Sequence, residues 1–153
     1  MIILGEGSER DELERLALEL GVSDRVSMPG FVDNPYAYMS RADAFVLCSR
    51  YEGLPGVLIQ AMACGLTPVV ADSPGGSAEI LGPSFEALLV PPDDERSLAK
   101  RIGEVLDAPA NPESLHERAS CFSERASLDA WEALFFELGF PSPYESSSSK
   151  SAP

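Results

Sequence analysis

From Met1 to Leu106, short apolar runs alternate with stretches whose apolar residues recur at helical spacing. Met1–Leu4 is an apolar run that stops at Gly5-Glu6-Gly7, as expected of a buried strand entering a tight turn. Leu13, Leu16, Ala17 and Leu20 then fall at i, i+3, i+4 and i+7, which predicts a helix over Glu9–Leu20 ending at Gly21. Ser8 and Asp11 have capping-box spacing at its start. Arg25–Met28 reads as a second strand before Pro29-Gly30, and Pro35–Arg41 as one or two helical turns. Ala44–Cys48 is apolar without interruption, the pattern of a central parallel strand. Val57–Cys64 is apolar nearly all round and predicts a buried helix.

Thr67–Ala71 and Ala87–Val90 predict two further strands, with a short helix over Gly76–Leu81 between them. Asp94–Leu106 carries an apolar stripe through Leu98, Ile102, Val105 and Leu106. Two more helices are predicted at Glu113–Glu124 and Leu128–Leu138. Strands alternating with helices indicate an α/β fold, a Rossmann-like doubly wound parallel sheet followed by C-terminal helices. The domain is expected to span residues 1–140, and the polar stretch 141–153, with four consecutive serines, is expected to be a disordered tail. In such sheets ligands bind beyond the carboxyl ends of the strands.

Composition narrows the classes. The 153 residues suit one domain, and 11 basic against 25 acidic residues give a net charge of −14. That balance excludes a nucleic-acid surface, which needs clustered Lys and Arg. Cys48, Cys64 and Cys121 form no CxxC pair, and Cys48 and Cys64 lie in apolar runs, so they read as reduced core residues. The MIILGEG start has no basic n-region, and no apolar run approaches the roughly 20 residues that cross a bilayer. A cytoplasmic domain with no transmembrane segment is expected.

Two glycine-rich turns carry the candidate chemistry. After Ala44–Cys48 the chain reads Ser49-Arg50-Tyr51-Glu52-Gly53-Leu54-Pro55-Gly56 and enters the apolar helix. Pro55 presets a first helical turn, Gly53 and Gly56 let a ligand approach the backbone, and the helix N-terminus attracts anions. Gln60 is the only polar side chain from Gly56 to Cys64, and its amide reads either as a ligand contact or as a core glutamine capping a loop. The second turn, Ser73-Pro74-Gly75-Gly76, follows the next strand, so both would face one cleft.

The run SRYEGLPGVLIQAMACGLTPVVADSPGGSAE, from Ser49 to Glu79, resembles the signature of glycosyltransferase family 4, a retaining family with the two-domain GT-B fold. The text before it from Met1, and ALLVPPDDERSLAKRI after it, resemble the same family's C-terminal, donor-binding domain. The resemblance implies a nucleotide-diphosphate sugar as donor substrate and no metal or other cofactor. It places Glu52 at the catalytic centre, in contact with donor-sugar hydroxyls. It sets Phe31 and Val32 beside the nucleobase, and the backbone of Gly53, Leu54, Pro55, Gly56 and Val57 along the sugar and diphosphate. Gly75 and Gly76 match the second glycine loop. Gln60 stands where the family has a second Glu that accepts bonds from both ribose hydroxyls; an amide keeps one acceptor and swaps the other for a donor.

The resemblance also implies an acceptor-binding domain or polypeptide as partner, and a first strand whose following loop supplies basic residues to the diphosphate. Neither is found in these residues, so the domain is expected to be truncated at its N-terminal side, and the isolated chain to be inactive. Arg50 is then the one nearby candidate to meet the diphosphate. A non-catalytic remnant or binding module of the same fold is the alternative. A dinucleotide site at Gly5-Glu6-Gly7 is disfavoured because Arg10 replaces the third glycine and Glu6 puts an acid in the turn. Asp93-Asp94 reads as a helix start and His116 as solvated. Leu128–Leu138, with Trp131, Phe135 and Phe136, is expected to pack on the sheet or the missing domain.

Overall fold

A computed structural model describes residues 1–140; the tail 141–153 lies outside the described residues. The chain divides into two compact units, Met1–Arg41 and Ala42 onward. Both are built from parallel strands and flanking helices, the α/β Rossmann-like arrangement.

In the first unit β1 (Ile2–Leu4) and β2 (Ser27–Gly30) pair in parallel, with α1 (Arg10–Glu19) as the crossover and α2 (Tyr36–Met39) after β2. The register sets Ile2 opposite Ser27 and Leu4 opposite Gly30. β2 starts two residues later than the sequence pattern suggests, because Ser23–Arg25 closes a 3-10 turn first. Pro29 is accommodated within β2, which has a partner on one side only among the described residues. The capping box does not form: Ser8 Oγ bonds to Glu9 Oε1 at 3.2 Å, and α1 has no side-chain cap. Of its apolar stripe only Ala17 is buried.

The second unit holds β3 (Phe45–Leu47), β4 (Pro68–Ala71) and β5 (Leu89–Val90), all parallel, in the order β3-β4-β5. The central strand is therefore β4, buried at every residue, and not the apolar run at Ala44–Cys48. β3 takes a partner on one side only among the described residues; Val46 and Cys48 are exposed, so Cys48 is not a core thiol. Cys64 is half-buried, and all three thiols are free.

Adjacent residues of β4 serve opposite faces, as the strand period of two requires. Val70 joins Leu58, Met62, Ile80, Leu81, Leu115 and Ala119 on one side, while Val69 joins Val90 and Val105 on the other. The first layer is α3 (Gly56–Ala63), α4 (Ser77–Leu81) and α6 (Pro112–Ser120); the second is α5 (Glu95–Asp107). Helices on both faces make this part of the sheet doubly wound. α3 is not buried all round: Leu58, Ala61 and Met62 face the core, whereas Val57, Gln60 and Ala63, three residues apart, form an exposed strip. Gln60 is thus neither buried nor a core glutamine.

Helix ends follow their caps. Asp94 accepts from Ser97 N at 3.0 Å at the start of α5, and Asn111 accepts from Ser114 N at 3.1 Å before Pro112 of α6. α7 (Glu124–Glu137) starts earlier than the apolar pattern predicts, because Ser123 Oγ accepts from Ala126 N at 3.2 Å and ends the preceding turn. No residue of α7 is buried, so its expected packing on the sheet is absent; Trp131 is 57% exposed and Phe136 77%. Its rings pack on one another instead, Trp131 stacked on Phe135 at 5.8 Å. No described helix is long and apolar enough to cross a membrane, and the described residues hold no group of three potential metal ligands.

Candidate functional site

The loops after β3, β4 and β5 meet at the carboxyl end of the three-stranded sheet, where parallel topology directs ligands. The first two are joined through their backbones. Glu52 N–H donates to Pro74 O at 3.3 Å, and Gly76 N–H donates to Gly53 O at 2.6 Å. The second loop is anchored to β5 by Asp72 N–H on Val90 O at 2.8 Å. The convergence of the two glycine turns, expected from their strand ends, is thus present in the fold.

The glycines divide into two kinds. Gly75 has φ +137°, and a Cβ there would overlap the Glu52 carbonyl; a Cβ on Gly76 would come within 2.7 Å of Leu54 Cδ1. These two are required by the chain's own packing. Gly53 and Gly56 have no positive φ, and a Cβ on either would meet nothing within 4 Å. Among the described residues nothing asks for glycine at those two positions, and the bare backbone leaves room there for the close approach of an outside group.

Pro55, buried and extended at φ −71° and ψ 91°, is the N-cap of α3 and offers no side-chain cap. Leu58 N–H donates to Pro55 O at 3.0 Å, while Gly56 and Val57 N–H find no acceptor among the described residues. Two aligned donors at a helix start, strengthened by the helix dipole, suit an anionic oxygen. Glu52 lies half-buried beside them, Leu54 and Val57 are exposed, and Gln60 stands one turn along the exposed strip of α3. Ser73 Oγ and Ser77 Oγ, buried on either side of Pro74–Gly76, have no hydrogen-bond partner among the described residues. Sequence reasoning passed over both hydroxyls, although the Ser-Pro-Gly-Gly-Ser spacing places them at the loop's two ends.

The third loop, Pro91–Asp94, contributes one side chain to this end of the sheet. Asp93 Oδ1 accepts from Arg50 Nε at 2.9 Å, and this pairing raises the Arg50 pKa. Asp94 is instead spent on the helix: Ser97 Oγ at 2.6 Å and Ser97 N–H hold its carboxyl below the ordinary carboxylate range.

Phe31 and Val32 belong to the first unit, directly after β2; Phe31 is 84% exposed and Val32 half-buried. In the same unit Glu6 is held by Arg10 through Nε at 2.5 Å and Nη2 at 2.8 Å, and Arg10 also reaches Glu14 and the Met28 carbonyl. The i,i+4 spacing of Glu6 and Arg10 was the available signal for that network. His116 is exposed on α6, as expected of a solvated histidine.

Residues 1–121 match the family model described as glycosyl transferases group 1, and the chain belongs to this family. An N-acetylgalactosaminyltransferase of Campylobacter jejuni, acting on an undecaprenol-diphosphate-linked saccharide by its name, is 37% identical over 70% of this chain and 29% of its own length. The lipopolysaccharide core glycosyltransferase LpsD of Rhizobium meliloti is 36% identical over 87% of the chain and 40% of its own length. Among solved structures, HepE of Anabaena in complex with UDP and glucose superposes with TM-score 0.76 at 25% identity, covering 89% of this chain and 40% of HepE. The chain thus spans about 29–40% of the length of these relatives.

Proposed function

We propose that this chain is the donor-binding part of a retaining, family 4 glycosyltransferase with the GT-B architecture, and that it binds a nucleotide-diphosphate sugar. The observation that carries the reading is the pair of backbone-linked glycine loops, with Gly53 and Gly56 bare for no internal reason and two unmatched N–H groups at the start of α3. In this reading the diphosphate lies on the N–H groups of Gly56 and Val57, with Gly53, Leu54 and Pro55 shaping the sugar side. Gly75 and Gly76 hold that loop in place, Glu52 meets the sugar hydroxyls, and Gln60 meets the ribose. Phe31 and Val32 are assigned to the base. The structure of HepE with UDP and glucose supports the ligand class.

Transfer passes through positive charge on the sugar and growing negative charge on the diphosphate; fixed donors at the leaving group are the main catalytic contribution available from this part of the fold. A carboxylate at Glu52 suits the sugar side of that charge separation. In this reading the donor is bound without a metal. The acceptor side falls to a partner domain or polypeptide, and three free thiols, two of them exposed, suit a reducing, cytoplasmic setting.

Gln60 favours a second reading, a module that binds the nucleotide without transfer, because an amide offers the ribose one neutral acceptor oxygen where a carboxylate offers two charged ones. Calorimetric titration with UDP, GDP and ADP sugars tests binding, and crystals soaked with the tightest one locate it. Density away from the Glu52–Val57 and Gly75–Gly76 loops would refute the site. Donor turnover that disappears in Glu52→Ala favours the enzyme reading; tight binding with no turnover beside an added acceptor-domain polypeptide favours the module.

A further inference from the structure

Asp93 is unusual in two ways that the helix start does not explain. Its φ of +54° makes it the only non-glycine residue with positive φ among those described, and its carboxylate is turned to Arg50 on another loop. The neighbouring Asp94 already caps α5, so the second aspartate has no part in that job. Arg50 leaves the end of β3 and Asp93 follows β5, so their contact spans the carboxyl end of the sheet across the middle strand, β4. Arg50 is also the only Lys or Arg on the three loops, 48–57, 72–77 and 91–94. On these three loops a phosphate meets one cationic side chain, and that side chain is already engaged.

We propose that Arg50 binds the diphosphate of the ligand, and that Asp93 is an internal anion which holds Arg50 across the sheet end until a phosphate displaces it. The inference rests on the donor-site reading and adds a residue to it. The contact uses Nε and one carboxylate oxygen, not the two-pronged fork that guanidinium makes with its best partners. Both side chains are largely exposed, 75% and 66%, where water and salt weaken ion pairs. A diphosphate brings more charge and more oxygens to the same guanidinium, so exchange favours the ligand. Asp93 therefore tunes affinity downward, and its backbone conformation, tolerated better by Asp and Asn than by most residues, places it to do so.

The test uses the 153-residue chain, with UDP, GDP and ADP titrated separately and inorganic pyrophosphate as a probe of the phosphate site alone. Arg50→Gln is expected to weaken the tightest nucleotide about fivefold. Asp93→Asn, which keeps the tolerance for positive φ, is expected to tighten it about threefold at low salt. The double variant should bind like Arg50→Gln. The Arg50 Nε–H signal in NMR spectra should shift on adding pyrophosphate, and should move toward the same position in Asp93→Asn without ligand. Unchanged nucleotide affinity in Arg50→Gln overturns the assignment while leaving the donor site intact. A gain from Asp93→Asn that persists in the double variant overturns the exchange. If no nucleotide binds but pyrophosphate still shifts Arg50, the donor reading fails and the phosphate contact stands; silence in both overturns both.

Discussion

Two glycine turns in this chain look alike on paper and differ in what they leave open. Gly5-Glu6-Gly7 follows β1 and Gly53–Gly56 follows β3; each ends a parallel strand and leads to a helix. In the first, the chain supplies its own anion. Glu6 takes two hydrogen bonds from Arg10, and these chiefly hold its carboxyl below the ordinary carboxylate range. In the second, Glu52 stays half-buried upstream and the N–H groups of Gly56 and Val57 have no acceptor among the described residues. A glycine turn thus fixes how a backbone bends, while the charges around it decide whether an outside anion has a place there.

The largest effect expected from breaking this contrast is structural. Gly75→Ala drives a Cβ into the Glu52 carbonyl at a φ that L-residues avoid, so it should cost about 3 kcal/mol or more and lower the melting temperature sharply. Gly7→Ala, with no positive φ and open space around a Cβ, should stay within about 0.5 kcal/mol of wild type. Equal losses in thermal or urea unfolding would show that the two glycine loops are not held against each other as described.

The next effect should appear in binding and not in stability. Gly56→Asp gives the second turn the internal carboxylate that the first already has, in space where a Cβ meets nothing. Nucleotide-diphosphate affinity should fall about tenfold or more, near 1.4 kcal/mol, with the melting temperature within about 2 degrees of wild type. Undiminished affinity in calorimetry would remove the start of α3 from the site. Gln60→Glu works in the opposite direction and more gently. A charged acceptor for the ribose should tighten binding by about 1 kcal/mol, and weaker binding would separate Gln60 from the ribose.

Much of this arrangement was legible in the residues. Apolar runs announced β1, β3 and β4 to within a residue or two, and the spacing of Glu52, Gly56 and Gly75 located the loops that the fold joins. Errors arose where the same local signal serves two environments. The run at Ala44–Cys48 is as apolar as a central strand, but β3 has a sheet partner on one side only among the described residues, which exposes Val46 and Cys48. Ala87–Val90 reads as four strand residues, of which Pro83–Leu88 claims the first two for a 3-10 helix. Val57–Cys64 contains small and apolar residues on every side, so its periodicity could not show which strip faces out. Side-chain exchanges between loops, such as Arg50 with Asp93, 43 positions apart, carry no local signature at all.

The smallest expected effect tests the closed turn. Glu6 has an ordinary carboxyl pKa of 4.5 when free, and in the fold it is lowered, chiefly by the Arg10 hydrogen bond and then by its charge. A group whose pKa falls on folding binds its proton more readily in the unfolded chain. Its contribution to stability is therefore complete above pH 4.5 and is lost as pH drops through the lower folded value. Glu6→Gln keeps an acceptor for Arg10 but removes the titration. At neutral pH the pair is exposed and screened, so the melting temperature should fall by about 2 degrees at most. As pH falls from 4.5 through the lower folded value the variant and wild type should converge, because the protonated Glu6 carboxyl and the substituted amide offer Arg10 similar neutral partners. Asp94 titrates in the same region with the same sign, held low by Ser97 in both proteins, so the variant's acid limb becomes shallower without becoming flat. Melting curves at closely spaced pH values would decide it. Two profiles that stay parallel down to the acid limit would mean that Glu6 is solvated, and that the first turn is as open to an anion as the second.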